Sequence, residues 1–186
     1  QLLWNGLVTG TLLALVSLGL TLIYGIAGFV QFAHGELVAL GAYSMLLFHN
    51  MLGIPLVPAG IAAIFLVVLF GLLFERIFFR PVRDKDPMIP LVISIGLSIG
   101  LQSLLQIFFG PQIQTISHLR FESWSVGELF LVTPSQVIAV CAAFICTVCL
   151  ILFLHKTRRG RSLRAVSDNR NLAQIFGMDA DVAMRW

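Results

Sequence analysis

The sequence predicts an all-α membrane protein, a polytopic bundle of transmembrane helices with a broken or re-entrant segment near residues 25–36. Three observations predict it. The 186 residues are 58% hydrophobic and only 11% charged, with a mean hydropathy of +0.94, whereas a soluble domain carries roughly 25% charged residues. Apolar runs stand at Leu7–Ala27, Val57–Phe74, Met88–Gly110 and Pro134–Leu154, each matching the about 20 residues a helix needs to cross a bilayer. These runs are apolar on all sides, not alternating as barrel strands are, and only helices satisfy the backbone within each such segment in lipid.

In chain order, spans are expected over 7–27, 35–49, 57–75, 88–110 and 134–154, the second built on the shorter apolar run Leu37–Phe48. The cations orient them. Nearly all Lys and Arg fall in two blocks, Arg76, Arg80, Arg83 and Lys85, then Lys156, Arg158, Arg159, Arg161, Arg164 and Arg170. The positive-inside rule makes both cytoplasmic, and the two spans between them place 111–133 outside. That loop holds Arg120, Glu122 and Glu128 among Pro, Ser and Gln, which suits a loop with short structure of its own. Asn50–Val57, with Gly53 and Pro55, is then an outer turn. A basic balance of +3 is thus explained by orientation, and no nucleic-acid partner is expected.

The first third gives the charge rule nothing to act on, because no Lys or Arg precedes Arg76. Simple alternation places the N-terminus outside. Gly25-Ile26-Ala27-Gly28-Phe29-Val30 is too apolar for a cytosolic loop and too rich in glycine for an unbroken helix. Immediately after it, Gln31-Phe32-Ala33-His34-Gly35-Glu36 gathers an amide, an imidazole and the one charged side chain before Glu75. A carboxylate at mid-bilayer costs about 2.5–3.5 kcal/mol on insertion scales, so Glu36 requires partners or water. Two readings stand. In one, Glu36 occupies the first turn of a helix near the interface and offsets its macrodipole. In the other, Gln31, His34, Gly35 and Glu36 line or hinge a translocation route at a break within the membrane. Catalysis by His34 and Glu36 is not expected, since alternate helical residues do not face each other and no H-E-x-x-H spacing is present. No catalytic residue and no metal site is assigned.

Cys141, Cys146 and Cys149 share one apolar span with no acid or imidazole nearby, so they are expected to be small buried apolar residues, not metal ligands or a redox pair. Gly6-x-x-x-Gly10 and Gly96-x-x-x-Gly100, the latter flanked by Ser94, Ser98 and Ser103, are expected to let helix backbones approach closely.

After the last span, a cytoplasmic segment over 156–181 is expected to carry a short helix. Gly160 would break the preceding helix, Asp168 would cap the new one, Leu172, Ala173, Ile175 and Phe176 would give it an apolar face, and Gly177 would end it. Such a helix fits a groove on a soluble partner or rests on anionic membrane lipid through its arginines.

With these residues in view, the chain resembles the permeases of ABC importers for branched-chain amino acids, specifically the shorter of their two permease types. The resemblance runs over the whole chain. It rests on QFAHGE at 31–36 followed by Leu40-Gly41-Ala42-Tyr43, on Glu75-Arg76 with Arg80-Pro81-Val82-Arg83, and on Ile93-Ser94-Ile95-Gly96. Gly160-Arg161, Arg164-Ala165-Val166-Ser167-Asp168, Ala173 and Gly177-Met178-Asp179 complete it. Gln31 stands where the family commonly has Asn, which keeps an amide.

The resemblance implies a single, partial permease domain over 1–186 in a prokaryotic inner membrane. Its partners would be a second permease, two cytoplasmic ATPase subunits and an extracytoplasmic binding protein. Arg164, Ala165, Asp168, Ala173 and Gly177 would belong to the segment that couples to the ATPase. The cargo would be branched-chain amino acids, or in the same class urea, amides or other amino acids; a channel or carrier without an ATPase is the alternative class. No cofactor is expected in this chain, ATP and Mg being bound by the ATPase subunits, and no G-x-x-x-x-G-K-[ST] is present. The chain starts without Met and stops at Trp186, and it is expected to be a C-terminally truncated fragment that lacks several further helices.

Overall fold

Each apolar run becomes a helix, and the chain leaves helical geometry where glycine, proline or a capping hydroxyl stops it. A computed structural model describes residues 1–82, 85–112, 124–126 and 130–168. Helix α1 spans Leu2–Ala27 and α2 His34–Leu46, the latter prolonged by a π-helical turn, Leu47–Met51. Helix α3, Leu56–Phe74, runs on through a π-helical turn at Glu75–Phe79 and a 3-10 turn at Arg80–Val82. Helix α4 is Met88–Phe109, strands β1 (Trp124–Val126) and β2 (Phe130–Val132) follow, and α5 (Pro134–Lys156) and α6 (Arg158–Asp168) complete the order. Among the described residues, four helices are long and apolar enough to cross a membrane: Leu2–Ala27, Leu56–Val82, Met88–Phe109 and Pro134–Lys156. Helix α2 with its π-helical turn is shorter, about 27 Å at 1.5 Å per residue, against a hydrocarbon core of about 30 Å. This is a multi-pass membrane protein.

The chain divides into two compact units, Gln1–Gly28 with Phe121–Trp186, and Phe29–Arg120. In the first, α1 and α5 lie side by side and parallel. At their N-terminal ends the Gln136 carboxamide is the hub: its Oε1 accepts from Trp4 Nε1 at 3.0 Å and from the Thr133 backbone N–H at 3.3 Å, while its Nε2 donates to Asn5 Oδ1 at 3.2 Å. Thr133, followed by Pro134 and with Gln136 three residues on, has the residue types of a capping box, which fixes where α5 starts. At the other end α6 packs on both helices. Because α5 ends on Lys156 at the cytoplasmic side, the parallel α1 must begin outside and end inside. The charge rule, silent on α1 from sequence alone, thus reaches it through packing.

Ahead of α5, β1 and β2 pair antiparallel in the register Trp124↔Val132, Ser125↔Leu131, Val126↔Phe130. The rest of the expected outer loop, 113–123 and 127–129, lies outside the described residues.

In the second unit α2 packs against both α3 and α4, around a core of Phe74, Phe79, Leu101 and Leu105. Phe29 stacks on Phe79 with centroids 5.3 Å apart, and Tyr43 meets Phe109 at 4.6 Å. Gly41 brings α2 close to α3, an added Cβ there lying 3.4 Å from Val67 Cγ2. Outward, the helices show bare apolar side chains such as Ile107 and Phe108, each 77% exposed. In water this would be an aggregating surface; against lipid it is the ordinary exterior.

Two expectations about packing are corrected. Cys141, Cys146 and Cys149 are exposed on α5, not buried; in a membrane an apolar environment does not require burial in protein. A Cβ added at Gly6, Gly10, Gly96 or Gly100 would meet nothing within 4 Å, so among the described residues neither G-x-x-x-G motif brings two backbones together. Among the described residues the close approaches are made at Gly25, Gly41 and Gly160 instead.

Candidate functional site: the helix break and the cytoplasmic elbow

Helix α1 stops at Gly28, whose φ of 77° is left-handed and whose N–H returns to Tyr24 O at 2.8 Å. A residue with a Cβ would be strained there by about 1–2 kcal/mol. Gly25 therefore belongs to α1, and the break runs from Gly28 to Ala33. Broken helices leave unpaired N–H and C=O groups, and near or within a membrane those must be met by protein. Ser94, fully buried on α4, meets them. Its Oγ accepts from Phe32 N–H at 3.3 Å, and its own proton faces Leu91 O at 2.8 Å and Val30 O at 3.3 Å. Ser94 lies about 9 Å along α4 from Met88, and the stacked Phe29–Phe79 pair holds the break beside the Arg76–Arg80 stretch of α3. The break is therefore set in at the cytoplasmic end of its helices.

Gln31 is half-buried and its backbone carbonyl accepts from His34 N–H at 3.2 Å. His34 begins α2 and is half-buried. Glu36, also half-buried, sits in the first turn of α2, where its charge opposes the helix dipole. Ser98, one turn beyond Ser94 on α4, donates to Glu36 Oε1 at 3.4 Å, the long end of hydrogen bonding. Gly35 is exposed, and a Cβ added there would meet nothing within 4 Å. No contact among the described residues requires glycine at that position. The break thus brings Gln31, His34, Gly35 and Glu36 together with two α4 hydroxyls, whose part in it the sequence did not reveal.

At the cytoplasmic end of the first unit, the chain turns at Thr157, not at Gly160. Thr157 is extended (φ −86°, ψ 149°). Its Oγ1 donates to Phe153 O at 2.7 Å and accepts from Gly160 N–H at 2.9 Å, so one side chain closes α5 and opens α6. Gly160 lies inside α6 and is buried. A Cβ there would collide with Phe153 O, stand 2.6 Å from Leu154 Cα and 2.9 Å from Leu154 O. Glycine is needed for closeness between two helices, not as a breaker. Asp168, expected to cap a new helix, instead lies within α6. Near it Val166 is buried, and a Cβ on Gly25 of α1 would strike Ser167 Oγ. Arg164, Ala165 and Asp168 thus ride on a helix clamped to α5 and α1. Ala173 and Gly177, with the helix expected around them, lie outside the described residues, as do Arg83 and Arg170.

Among the described residues no group of three or more His, Cys, Asp or Glu is placed to hold a metal ion.

These features define a membrane-embedded helical protein with an internally satisfied helix break and a braced cytoplasmic elbow. The chain belongs to the family described as the branched-chain amino acid transport system permease component, whose model matches residues 2–184. It is 33% identical to the high-affinity branched-chain amino acid transport system permease protein LivH of Salmonella typhimurium and to LivH of Escherichia coli, and 31% identical to BraD of Pseudomonas aeruginosa. Each comparison covers 97% of this chain and 63% of the relative, so the chain spans somewhat under two thirds of their length. No solved structure matches it.

Proposed function

We propose that the protein is a membrane subunit of an ATP-driven importer, passing branched-chain amino acids received from an extracytoplasmic binding protein. It works with a second permease and two cytoplasmic ATPase subunits. The observation that carries this reading is the family match across residues 2–184, joined to relatives whose names specify branched-chain amino acid transport. The subunit itself performs no catalysis; ATP and Mg are bound and used by the ATPase subunits.

The mechanism follows from how the elbow is built. The stretch carrying Ala173 and Gly177 docks on an ATPase subunit, and ATP stabilises the closed ATPase pair. Only that differential affinity can shift the permease between states. Helix α6, locked to α5 through Thr157 and Gly160 and abutting α1 at Gly25, transmits the displacement to both helices together. The Gln136 hub holds their far ends, so α1 and α5 move as one body. Helix α1 runs directly into the break at Gly28, where φ is already unusual and a hinge is cheap. Gln31, His34, Gly35 and Glu36 border the path there. The test replaces Ala173 or Gly177 with Trp in the full-length protein assembled with its partners. Uptake is expected to fall while ATP hydrolysis persists; unchanged uptake would remove the docking assignment.

A further inference from the structure

Helix α6 leaves one long side uncovered, and that side is cationic. Arg158, Arg161 and Arg164 recur every three residues, which places them along one face, and all three are exposed. Lys156, also exposed, precedes them. The opposite side, with Gly160 and Val166 buried and Leu163 half-buried, is the one seated on the neighbouring helices. Among the described residues no carboxylate pairs with these cations; the one polar partner in the stripe is the His155 ring, to which Arg164 Nη1 donates at 3.1 Å. Asp168, further along, is exposed.

The depth of the stripe points to its occupant. Helix α5, Pro134–Lys156, is about 34 Å long and so already exceeds the hydrocarbon thickness of about 30 Å. Its last turn emerges among lipid headgroups. Helix α6 begins directly after Thr157 and sets Ser167 against Gly25, in the last turn of α1. It therefore lies across the ends of two membrane helices and does not project into the cytosol. A row of guanidinium forks at that level faces phosphate, which arginine grips in bidentate fashion where lysine offers a point charge. We propose that Arg158, Arg161 and Arg164 form a binding surface for anionic phospholipid headgroups of the cytoplasmic leaflet. This rests on the membrane placement of α5 and is independent of the transport reading.

The experiment uses the full-length protein purified with its partner subunits and equilibrated with mixed micelles containing phosphatidylglycerol or phosphatidylcholine, with native mass spectrometry counting retained lipid. Wild type is expected to retain phosphatidylglycerol preferentially and to lose it as salt rises. Changing Arg158→Gln, Arg161→Gln and Arg164→Gln together is expected to weaken that retention by roughly tenfold or more, each juxtamembrane cation contributing separately. The triple Lys replacement should keep most of it. Equal retention of both lipids by wild type, a comparison that needs no variant, would overturn the proposal. So would a Gln variant that retains phosphatidylglycerol normally, or one that keeps the lipid but sheds the ATPase subunits, which would assign the stripe to protein docking.

Discussion

Replacing Gly160 with Ala adds one methyl group where, among the described residues, a glycine lies tightest against a neighbouring helix. The new Cβ meets three backbone atoms, Phe153 O, Leu154 Cα at 2.6 Å and Leu154 O at 2.9 Å. None can swing aside as a side-chain tip would. Overpacking of this kind costs about 1–3 kcal/mol, and with rigid partners the upper end applies. Against it stands the helix propensity of Ala over Gly, about 1 kcal/mol in the opposite direction. The balance is a loss of about 2 kcal/mol, or a fall in Tm of about 4–8 °C for a protein of this size. The assay is thermal unfolding of the full-length protein in detergent, paired with uptake and ATP hydrolysis in vesicles. Uptake should fall more than hydrolysis, because α6 must lift from α5 and no longer drives it. The sign makes the test decisive. A rise in Tm with normal uptake would mean that propensity alone acts at position 160, and the elbow as described would not exist.

Three further outcomes follow from the break. Ser94→Ala removes the hydroxyl that pairs with the Phe32 N–H and the Val30 carbonyl and should destabilise the full-length protein by about 1 kcal/mol, read as a lowered Tm; an unchanged Tm would mean that the break satisfies itself. Gly35→Ala meets open space and should raise stability by about 0.5–1 kcal/mol. A lowered Tm would instead mean that the first turn of α2 cannot take a side chain at position 35. Glu36→Gln keeps the shape and the Ser98 contact but removes the charge, so transport should drop while assembly, followed by co-purification of partners, stays intact. Loss of assembly would instead assign Glu36 a purely structural part.

Hydropathy and charge made the membrane class legible because lipid imposes a simple rule on long segments. The runs read as Met88–Gly110 and Pro134–Leu154 lie almost residue for residue on α4 and α5. The break was legible too, since Gly28 and the polar cluster after it fit no continuous helix. The residues that hold these features in place were less so. Ser94 acts on atoms 62 and 64 residues away, and Gln136 on atoms 131 and 132 away, distances over which no local pattern speaks. The elbow was misplaced for a different reason. Gly160 among arginines has the look of a breaker, yet one side of α6 is seated on α5 and α1, and tertiary packing outweighs the propensity of a single glycine. The signal that marked the true boundary was Thr157, an N-cap residue type standing immediately before the basic run. Conversely, G-x-x-x-G had the look of a packing motif and finds no neighbour among the described residues.

The account depends on a membrane body that moves solute only when a partner hydrolyses ATP. The direct measurement is uptake of a radiolabelled branched-chain amino acid by vesicles holding the full-length protein and its second permease, with the binding protein supplied, with and without the ATPase subunits. Accumulation is predicted only when the ATPase subunits and ATP are both present. Equal uptake in vesicles that lack any ATPase would contradict it.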